Sequence, residues 1–386
     1  MKKVLALIMV LVLSATCLTA CGTTEEKTDD SSSSDSSETI KVGFIGPLTG
    51  DTALYGESVA NGAQLYFDKI NEEGGIDGKQ IEYIKIDSTG DPDTALSAYN
   101  RLIDLEGVCA IVGPVLTGET NVIAQAAAED GVPCITASAT GDTLTDYGDA
   151  LFRTCFKDSF QGTKLADYAK EVMGVSKVAI LYANDDAYSM GLHDAFVAEA
   201  KEIGLEITGE ESYASASSSD YSSQLTNLAL GEPEAIFFPY YYAQCYDAMS
   251  QAKDIGLDVP FMGGDGLSSL VGYATDNSII EGTIYTNHFD EAAGDDTVKA
   301  FASLYKETYG IDPLGFSYLA YDAAMILVNA IETSGSTDWD TLRETIKTTD
   351  MDCMTGHYVF DEDNNPIKQA AMTIIKNGEN TFDRMF

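Results

Sequence analysis

Short apolar runs and amphipathic segments alternate along most of the chain. In the first half, the apolar runs predict strands at residues 40–45, 81–86, 109–113 and 132–136. Apolar residues at helical spacing predict helices at residues 58–73, 92–106 and 118–130. The second of these helices opens at Asp91-Pro92, a typical N-cap followed by proline at the first helical position. This alternation is typical of parallel strands connected by helices.

The same alternation restarts after Arg153-Thr154. Strands are predicted at residues 177–182, 205–210, 235–238 and 260–262. Helices are predicted at residues 160–173, 189–203, 221–230 and 243–255, and residues 296–350 are mainly helical. Two more strands are predicted at residues 356–360 and 371–375. Two successive runs of this kind predict an α/β fold with two parallel sheets, each covered by helices on both faces.

In open α/β sheets, ligands bind beyond the carboxyl ends of the strands. The loops expected to carry the function therefore follow Ile45, Val112, Thr136, Tyr182, Phe238 and Met262.

The N-terminus has the parts of a secretory signal peptide over residues 1–20. A basic start, Met1-Lys2-Lys3, precedes an uncharged, mostly apolar run that ends in Leu18-Thr19-Ala20-Cys21. This ending resembles a bacterial lipobox, in which Cys21 is lipidated and becomes the new N-terminus. The alternative is a plain signal peptide with an incidental cysteine. Two acyl chains on Cys21 would anchor the protein stably to the outer face of the bacterial cell membrane.

The charge of the chain limits its partners. The formal charge is −40, and it becomes −42 when residues 1–20 leave, because they hold two lysines and no acid. Such a chain is not expected to bind nucleic acid or an anionic membrane surface, since both need a cationic face. Residues 21–38 are rich in serine and acid and predict a flexible linker. Outside the signal peptide, the most apolar segment, residues 319–330, is too short to span a bilayer and carries Asp322.

Enzyme, metal and disulfide signatures are missing from the sequence. The cysteines beyond Cys21 are Cys109, Cys134, Cys155, Cys245 and Cys353, without close spacing, and Cys109 and Cys134 lie in strand-like runs. The three histidines are well separated, and no GxSxG, GxxxxGK[ST] or GxGxxG motif occurs. We therefore expect no catalytic residue, cofactor or metal site. The cluster Gly263–Gly266 is either a tight turn or an acid held where glycines allow close approach.

Several motifs together resemble bacterial substrate-binding proteins of the branched-chain amino acid transport type. They are KVGFIGPLTG at 41–50, Tyr55-Gly56, Gly62-Ala63, INEEGGIDG at 70–78, Gln161-Gly162, YSMG at 188–191 and FMGGDG at 261–266. The resemblance, from about residue 39 to the end, implies the type I periplasmic binding fold. In that fold two Rossmann-like lobes clamp the ligand and are joined by three hinge crossings, here near residues 154, 286 and 355. The implied lobes are residues 39–154 plus 287–354 at the amino-terminal side, and 155–286 plus 355–386 at the carboxy-terminal side.

The resemblance also implies polar contacts to a ligand. Thr117 would bind the α-carboxylate of an amino acid, together with the hydroxyl or N–H of Thr140. Ser138 would offer its backbone carbonyl to the ammonium, and Asp265 would pair with it. Thr117 and Thr140 could instead be helix N-caps only.

Further residues are implied to enclose the ligand. Tyr188 and Tyr241 would close over it from the opposite lobe, and the side-chain pocket would be walled by Tyr55, Val115, Leu116 and Phe316. Tyr241 stands in a run of three tyrosines and could be a surface or core residue, and Phe316 could simply be core.

Two departures from the family pattern bear on specificity. Many relatives have glutamate at the position of Asp265, and the shorter acid withdraws the charge by about 1.5 Å. Either a water then bridges to the ammonium or the amine sits elsewhere. Some relatives also carry a disulfide between the positions of Gly90 and Leu116, and both cysteines are missing here.

The expected function is that of a monomeric extracytoplasmic lipoprotein, without enzymatic activity, that delivers a small amino acid to an ABC permease. One alternative is a binding or sensor protein for amides, urea or aromatic carboxylates on the same fold. Another is a secreted enzyme whose active site is dispersed along the chain.

Overall fold

The computed structural model describes residues 39–215, 219–289 and 296–386. The predicted signal peptide, the linker and Cys21 lie outside these residues and stay predictions. Among the helices of the described ranges, none combines the length and the hydrophobicity needed to cross a membrane.

Strands and helices alternate in the predicted order. The strands are β1 (Ile40–Gly46), β2 (Ile81–Asp87), β3 (Ala110–Val112), β4 (Cys134–Thr136), β5 (Leu151–Arg153), β6 (Lys177–Ala183), β7 (Glu206–Tyr213), β8 (Ala235–Phe237), β9 (Phe261–Gly263), β10 (Ile284–Asn287), β11 (Asp350–Cys353), β12 (Gly356–Val359), β13 (Ala371–Lys376) and β14 (Glu379–Met385). The helices are α1 (Ala53–Glu72), α2 (Pro92–Arg101), α3 (Thr117–Asp130), α4 (Asp158–Tyr168), α5 (Ala187–Ile203), α6 (Ser222–Ala229), α7 (Tyr242–Asp254), α8 (Leu270–Tyr273), α9 (Asn277–Ile280), α10 (Asp296–Tyr309), α11 (Gly315–Ser334) and α12 (Trp339–Lys347).

The first sheet is parallel throughout and has the order β2–β1–β3–β4–β5. Val42 and Phe44 of β1 are fully buried, as the apolar run predicts for a central strand. The predicted start of α2 is confirmed, because the Asp91 side chain accepts a hydrogen bond from the Thr94 N–H at 2.8 Å. We call this sheet and the helices that pack on it the first lobe. It includes α11, which packs against α1, β3 and β4.

The second sheet is mixed, with the order β14–β13–β10–β9–β8–β6–β7. Strands β6 to β10 pair in parallel, whereas β13 is antiparallel to β10 and β14 is antiparallel to β13. Asn377 and Gly378 connect the last two strands with φ of 55° and 75°. An Asn-Gly pair tolerates this left-handed backbone, and the pair is the preferred two-residue hairpin turn. We call this sheet and its helices the second lobe.

The division of strands between the sheets supports two lobes. The first sheet takes its strands from residues 40–153, and the second from residues 177–287 and 371–385. The lobe boundaries near 154, 286 and 355 stay predictions.

A buried acid fastens the hairpin of β11 and β12 to the first lobe. The Asp322 carboxylate accepts hydrogen bonds from the N–H of Met354 at 2.7 Å, the N–H of Thr355 at 3.0 Å and the Thr355 hydroxyl at 2.6 Å. This explains why an acid stands within the apolar residues of α11.

Candidate functional site

A cavity lies at the carboxyl ends of strands from both sheets. It is lined by Tyr55, Val115, Leu116, Thr117, Ser138, Tyr188, Tyr241, Asp265, Gly266 and Phe316. Nine of the ten residues predicted to bind ligand are thus brought together, and Thr140 is the exception. Their contacts with a ligand stay a prediction.

The loop after β3 brings the start of α3 to the cavity. Leu116 is the N-cap residue, and because its own side chain cannot cap, Glu119 reaches back and accepts the Leu116 N–H at 3.2 Å. Burial raises the pKa of Glu119 to about 7. Thr117 is the first residue of the helix and is buried. The first N–H groups of a helix have no partner within it, so this end can receive an anion.

The loop after β4 is tied to the loop after β3. The Ser138 hydroxyl donates to the Val115 carbonyl, and the Thr136 hydroxyl donates to the Pro114 carbonyl, each at 2.7 Å. Thr140 lies farther along the same loop and is fully buried. Its carbonyl accepts the N–H of Asp158 at 2.9 Å, its buried hydroxyl has no hydrogen-bond partner among the described residues, and it is not among the residues that line the cavity.

Asp265 is the acid in the cavity wall, and it is held from three directions. Its Oδ1 accepts hydrogen bonds from the Tyr188 hydroxyl at 2.9 Å and from Gln161 Nε2 at 3.2 Å. Its Oδ2 is 2.9 Å from His288 Nε2. Burial raises the pKa of Tyr188 well above its usual value, so its hydroxyl keeps the proton that it donates. The carboxylate is therefore fixed in one orientation.

Gln161 connects Asp265 to a second acid. Its Nε2 also donates to Asp158 Oδ1 at 3.0 Å, and its Oε1 accepts the Asp265 N–H at 3.1 Å and the Thr286 hydroxyl at 2.7 Å. Burial raises the pKa of Asp158 well above its usual value, and the neighbouring charge of Asp265 acts in the same direction. Asp158 does not line the cavity, and Asp265 is the acid that faces it.

The glycines around Asp265 allow these side chains to approach. A Cβ atom on Gly264 would lie 2.7 Å from the Tyr188 hydroxyl and 2.8 Å from Gln161 Oε1. A Cβ atom on Gly266 would lie 2.8 Å from the same hydroxyl. Glycine is therefore needed at positions 264 and 266 because protein side chains, Tyr188 and Gln161, pack directly against them.

Tyr55 joins the two lobes above the cavity. Its hydroxyl, carried on α1, donates to the Gly266 carbonyl and accepts the Tyr242 N–H at 3.3 Å. Its ring packs edge-on against Tyr241 at 5.7 Å and against Phe316 at 5.5 Å between ring centroids. Tyr241 in turn stacks on Tyr188 at 5.2 Å. Tyr241 and Phe316 thus belong to an aromatic wall that spans both lobes.

Sequence reasoning assigned no role to Gln161 or His288. Gln161 appeared only within a motif, and His288 only as one of three scattered histidines. His288 directly follows β10, which lies beside β9 in the sheet, so it emerges at the same edge as Asp265. Prediction of a short strand at residues 284–287 would have placed His288 at this edge of the sheet.

Residues 39–215, 219–289 and 296–386 hold no group of three or more His, Cys, Asp or Glu side chains arranged for a metal ion. The five cysteines of these ranges are free thiols, and four of them are buried. This agrees with the interpretation that Cys109 and Cys134 are core residues.

Known proteins are similar to this chain in both sequence and fold. Residues 39–380 match a family described as periplasmic binding protein. The Leu/Ile/Val-binding protein homolog 3 of Brucella melitensis is 33% identical over 300 residues, which cover 78% of this chain and 80% of that protein. The branched-chain amino acid transporter substrate binding protein LivJ from Streptococcus pneumoniae, solved in complex with isoleucine, gives a TM-score of 0.85 at 33% identity. That match covers 90% of this chain and 99% of LivJ.

A further structural neighbour was solved with an aromatic acid. It is the solute binding protein of an ABC transporter from Rhodopseudomonas palustris in complex with 3,4-dihydroxy benzoic acid. The TM-score is 0.81 at 25% identity, covering 90% of this chain and 96% of that one. The family match, the sequence relatives and the structural neighbours agree: this chain belongs to the branched-chain amino acid family of type I periplasmic binding proteins.

Proposed function

We propose that the protein captures a small amino acid, branched-chain or similar, between its lobes and delivers it to an ABC importer. One observation carries the proposal: Asp265 and the N-terminus of α3 at Thr117 line the same cavity. An acid suits an ammonium, and a helix N-terminus suits a carboxylate. Val115 and Leu116 supply apolar surface for an aliphatic side chain.

The proposed function contains no chemical step. The ligand acts by its higher affinity for the closed arrangement, in which both lobes touch it. Contacts such as that of Tyr55 with Gly266 support this view, since they already join the lobes beside the cavity.

An aromatic carboxylate is the second candidate ligand. Four aromatic rings line the cavity, and a structural neighbour was solved with 3,4-dihydroxy benzoic acid. Such a ligand has no cation to place against Asp265, so the buried carboxylate would be left without a partner charge. An amino acid is therefore the better match.

A ligand panel tests the proposal. We suggest the mature chain, residues 21–386, with Cys21→Ala so that no lipid is attached. Leucine, isoleucine and valine should raise the melting temperature, because ligand at a hundredfold over its Kd adds about 2.7 kcal/mol to the free energy of unfolding. The comparison compounds each lack the ammonium, the carboxylate or both: they are 4-methylpentanoate, 3-methylbutylamine, 3,4-dihydroxybenzoate and urea. Stabilisation by 3,4-dihydroxybenzoate with no response to any amino acid would reject the amino-acid assignment.

Membrane attachment is a separate proposal with its own test. The protein is proposed to be held at the outer face of the membrane by lipid on Cys21, as a monomer. The full-length protein should sediment with membranes, and Cys21→Ala should move it to the soluble fraction. If the variant stays with washed membranes, the anchor lies elsewhere. Light scattering of the soluble form should give the mass of one chain.

A further inference from the structure

Asp265 is nearly saturated with hydrogen bonds from the protein. An ionised carboxylate has about four acceptor sites, and three are taken by Gln161, Tyr188 and His288. Gln161 and Tyr188 are neutral donors. The charge that a ligand meets at Asp265 therefore depends on whether His288 is neutral or cationic.

His288 is placed as a dedicated partner of Asp265. Its side chain is 1% exposed, and its Nε2 lies 2.9 Å from Asp265 Oδ2. Its ring packs on Phe156 at 3.9 Å and faces Phe316 at 5.9 Å between centroids. The residue directly follows β10, where the chain leaves the second sheet.

The surroundings of His288 favour the neutral imidazole. Among the described residues, Nδ1 is buried and has no hydrogen-bond partner, whereas an imidazolium would need an acceptor there. Burial lowers the pKa of His288, although Asp265 acts in the opposite direction, and Lys368 lowers it further. The proton of the neutral ring then lies on Nε2, where Asp265 can accept it.

We propose that His288 is a positioning residue for amine recognition: as a neutral Nε2–H donor it orients Asp265 without cancelling its charge. The inference rests on the proposed function, because it concerns the same cavity. It deepens that function by assigning the preference for an ammonium-bearing solute to the pair of Asp265 and His288.

Two matched variants test the proposal in the mature Cys21→Ala chain. His288→Gln keeps a neutral N–H donor, and His288→Phe keeps a flat ring on Phe156 but removes the donor. Calorimetry would give the Kd of leucine and of 4-methylpentanoate for each form. His288→Phe should weaken leucine about tenfold or more, with less than about threefold change for 4-methylpentanoate. His288→Gln should return leucine to within about threefold of the parent protein.

The outcomes separate this inference from the proposed function. If the parent protein binds neither leucine, isoleucine nor valine, the proposed function fails and the inference fails with it. If the parent binds leucine but His288→Phe binds it equally well, or loses both ligands equally, only the inference is overturned. If His288→Gln does not restore leucine binding, the inference is likewise overturned.

A measurement on the unmutated side chain covers the case in which the variants do not fold. Nitrogen chemical shifts of ¹⁵N-histidine-labelled protein at pH 7 should show His288 as the neutral Nε2–H tautomer. An imidazolium signal for His288 would overturn the proposal.

Discussion

The first lobe reaches the cavity through two loops and through the rings of Tyr55 and Phe316, whereas the second lobe reaches it through two tyrosines, Gly266 and a carboxylate. In the first lobe, Ser138 uses its hydroxyl to hold the neighbouring loop, which leaves backbone N–H groups near Thr117 as the main polar feature. In the second lobe, Asp265 is held by three side chains. Under the proposed function, the two lobes divide the recognition of an amino acid: backbone dipoles bind the anion, and a fixed acid binds the cation.

The largest effect on affinity is expected from removing the charge that the second lobe places in the cavity. Asp265→Asn keeps the shape of the side chain but leaves the ligand ammonium without a counter-charge. We expect a loss of leucine affinity of about a hundredfold or more by calorimetry. 4-Methylpentanoate, which lacks the amine, should lose far less. Equal losses for the two ligands would show that Asp265 does not hold the amine.

The buried acid of the first lobe should act on stability rather than on charge recognition. Glu119 has a pKa of about 7 because of burial, against about 4.5 when unfolded. The folded protein therefore binds more protons than the unfolded chain between these values, so stability falls as the pH rises through this window.

Glu119→Gln keeps an oxygen acceptor for the Leu116 N–H and is neutral at every pH. At pH 8 it should raise the free energy of unfolding by roughly 2 kcal/mol, and the gain should shrink towards pH 4.5. Urea unfolding at pH 5 and pH 8 measures this. A gain of the same size at both values would mean that Glu119 is not protonated in the folded protein.

The anion end of the cavity should respond in the opposite pattern to the cation end. Thr117→Val removes a hydroxyl while the backbone N–H groups stay, so we expect a loss of about tenfold. Leucine and 4-methylpentanoate should weaken alike, because both carry the carboxylate. Thr117→Ser restores the hydroxyl and should restore affinity. Selective loss of leucine would place the carboxylate elsewhere.

The contact that spans the lobes should have the smallest effect on affinity. Tyr55→Phe removes the hydrogen bond to the Gly266 carbonyl and keeps the aromatic wall, so leucine should weaken about threefold. Small-angle scattering should show a larger radius of gyration for the variant without ligand, and contraction when leucine is added. An unchanged radius in both forms would argue that this hydroxyl does not bias lobe closure.

Most of the fold could be predicted from the sequence because buried parallel strands are continuous apolar runs. Residues 40–45 and 177–182 were predicted within one residue of β1 and β6. β14 was missed because its sequence, ENTFDRM, is largely polar. Its partner β13 was predicted, and the Asn377-Gly378 pair between them was a hairpin signal.

The site could be predicted only in part, because its polar network is made by residues that are far apart in the sequence. Resemblance to the family indicated Asp265 and Tyr188, and the structure brings them within 2.9 Å of each other. Nothing local connects Gln161 or His288 to Asp265, since that proximity arises from the order of β8, β9 and β10 and from the packing of α4. Thr140 is not among the residues that line the cavity, and its carbonyl accepts the Asp158 N–H. Its contact with a ligand stays a prediction.

The contact of Tyr55 with Gly266 also has a consequence for rates. The residues that line the cavity are all buried. Under the proposed function, a solute held between the lobes leaves when the lobes part. Its dissociation rate cannot exceed the rate of that motion, which for domain hinges lies on the microsecond-to-millisecond scale. Solutes of different affinity share this ceiling, and they differ below it by how strongly each one holds the lobes together. A membrane partner that unloads the solute faster than this must pull the lobes apart itself.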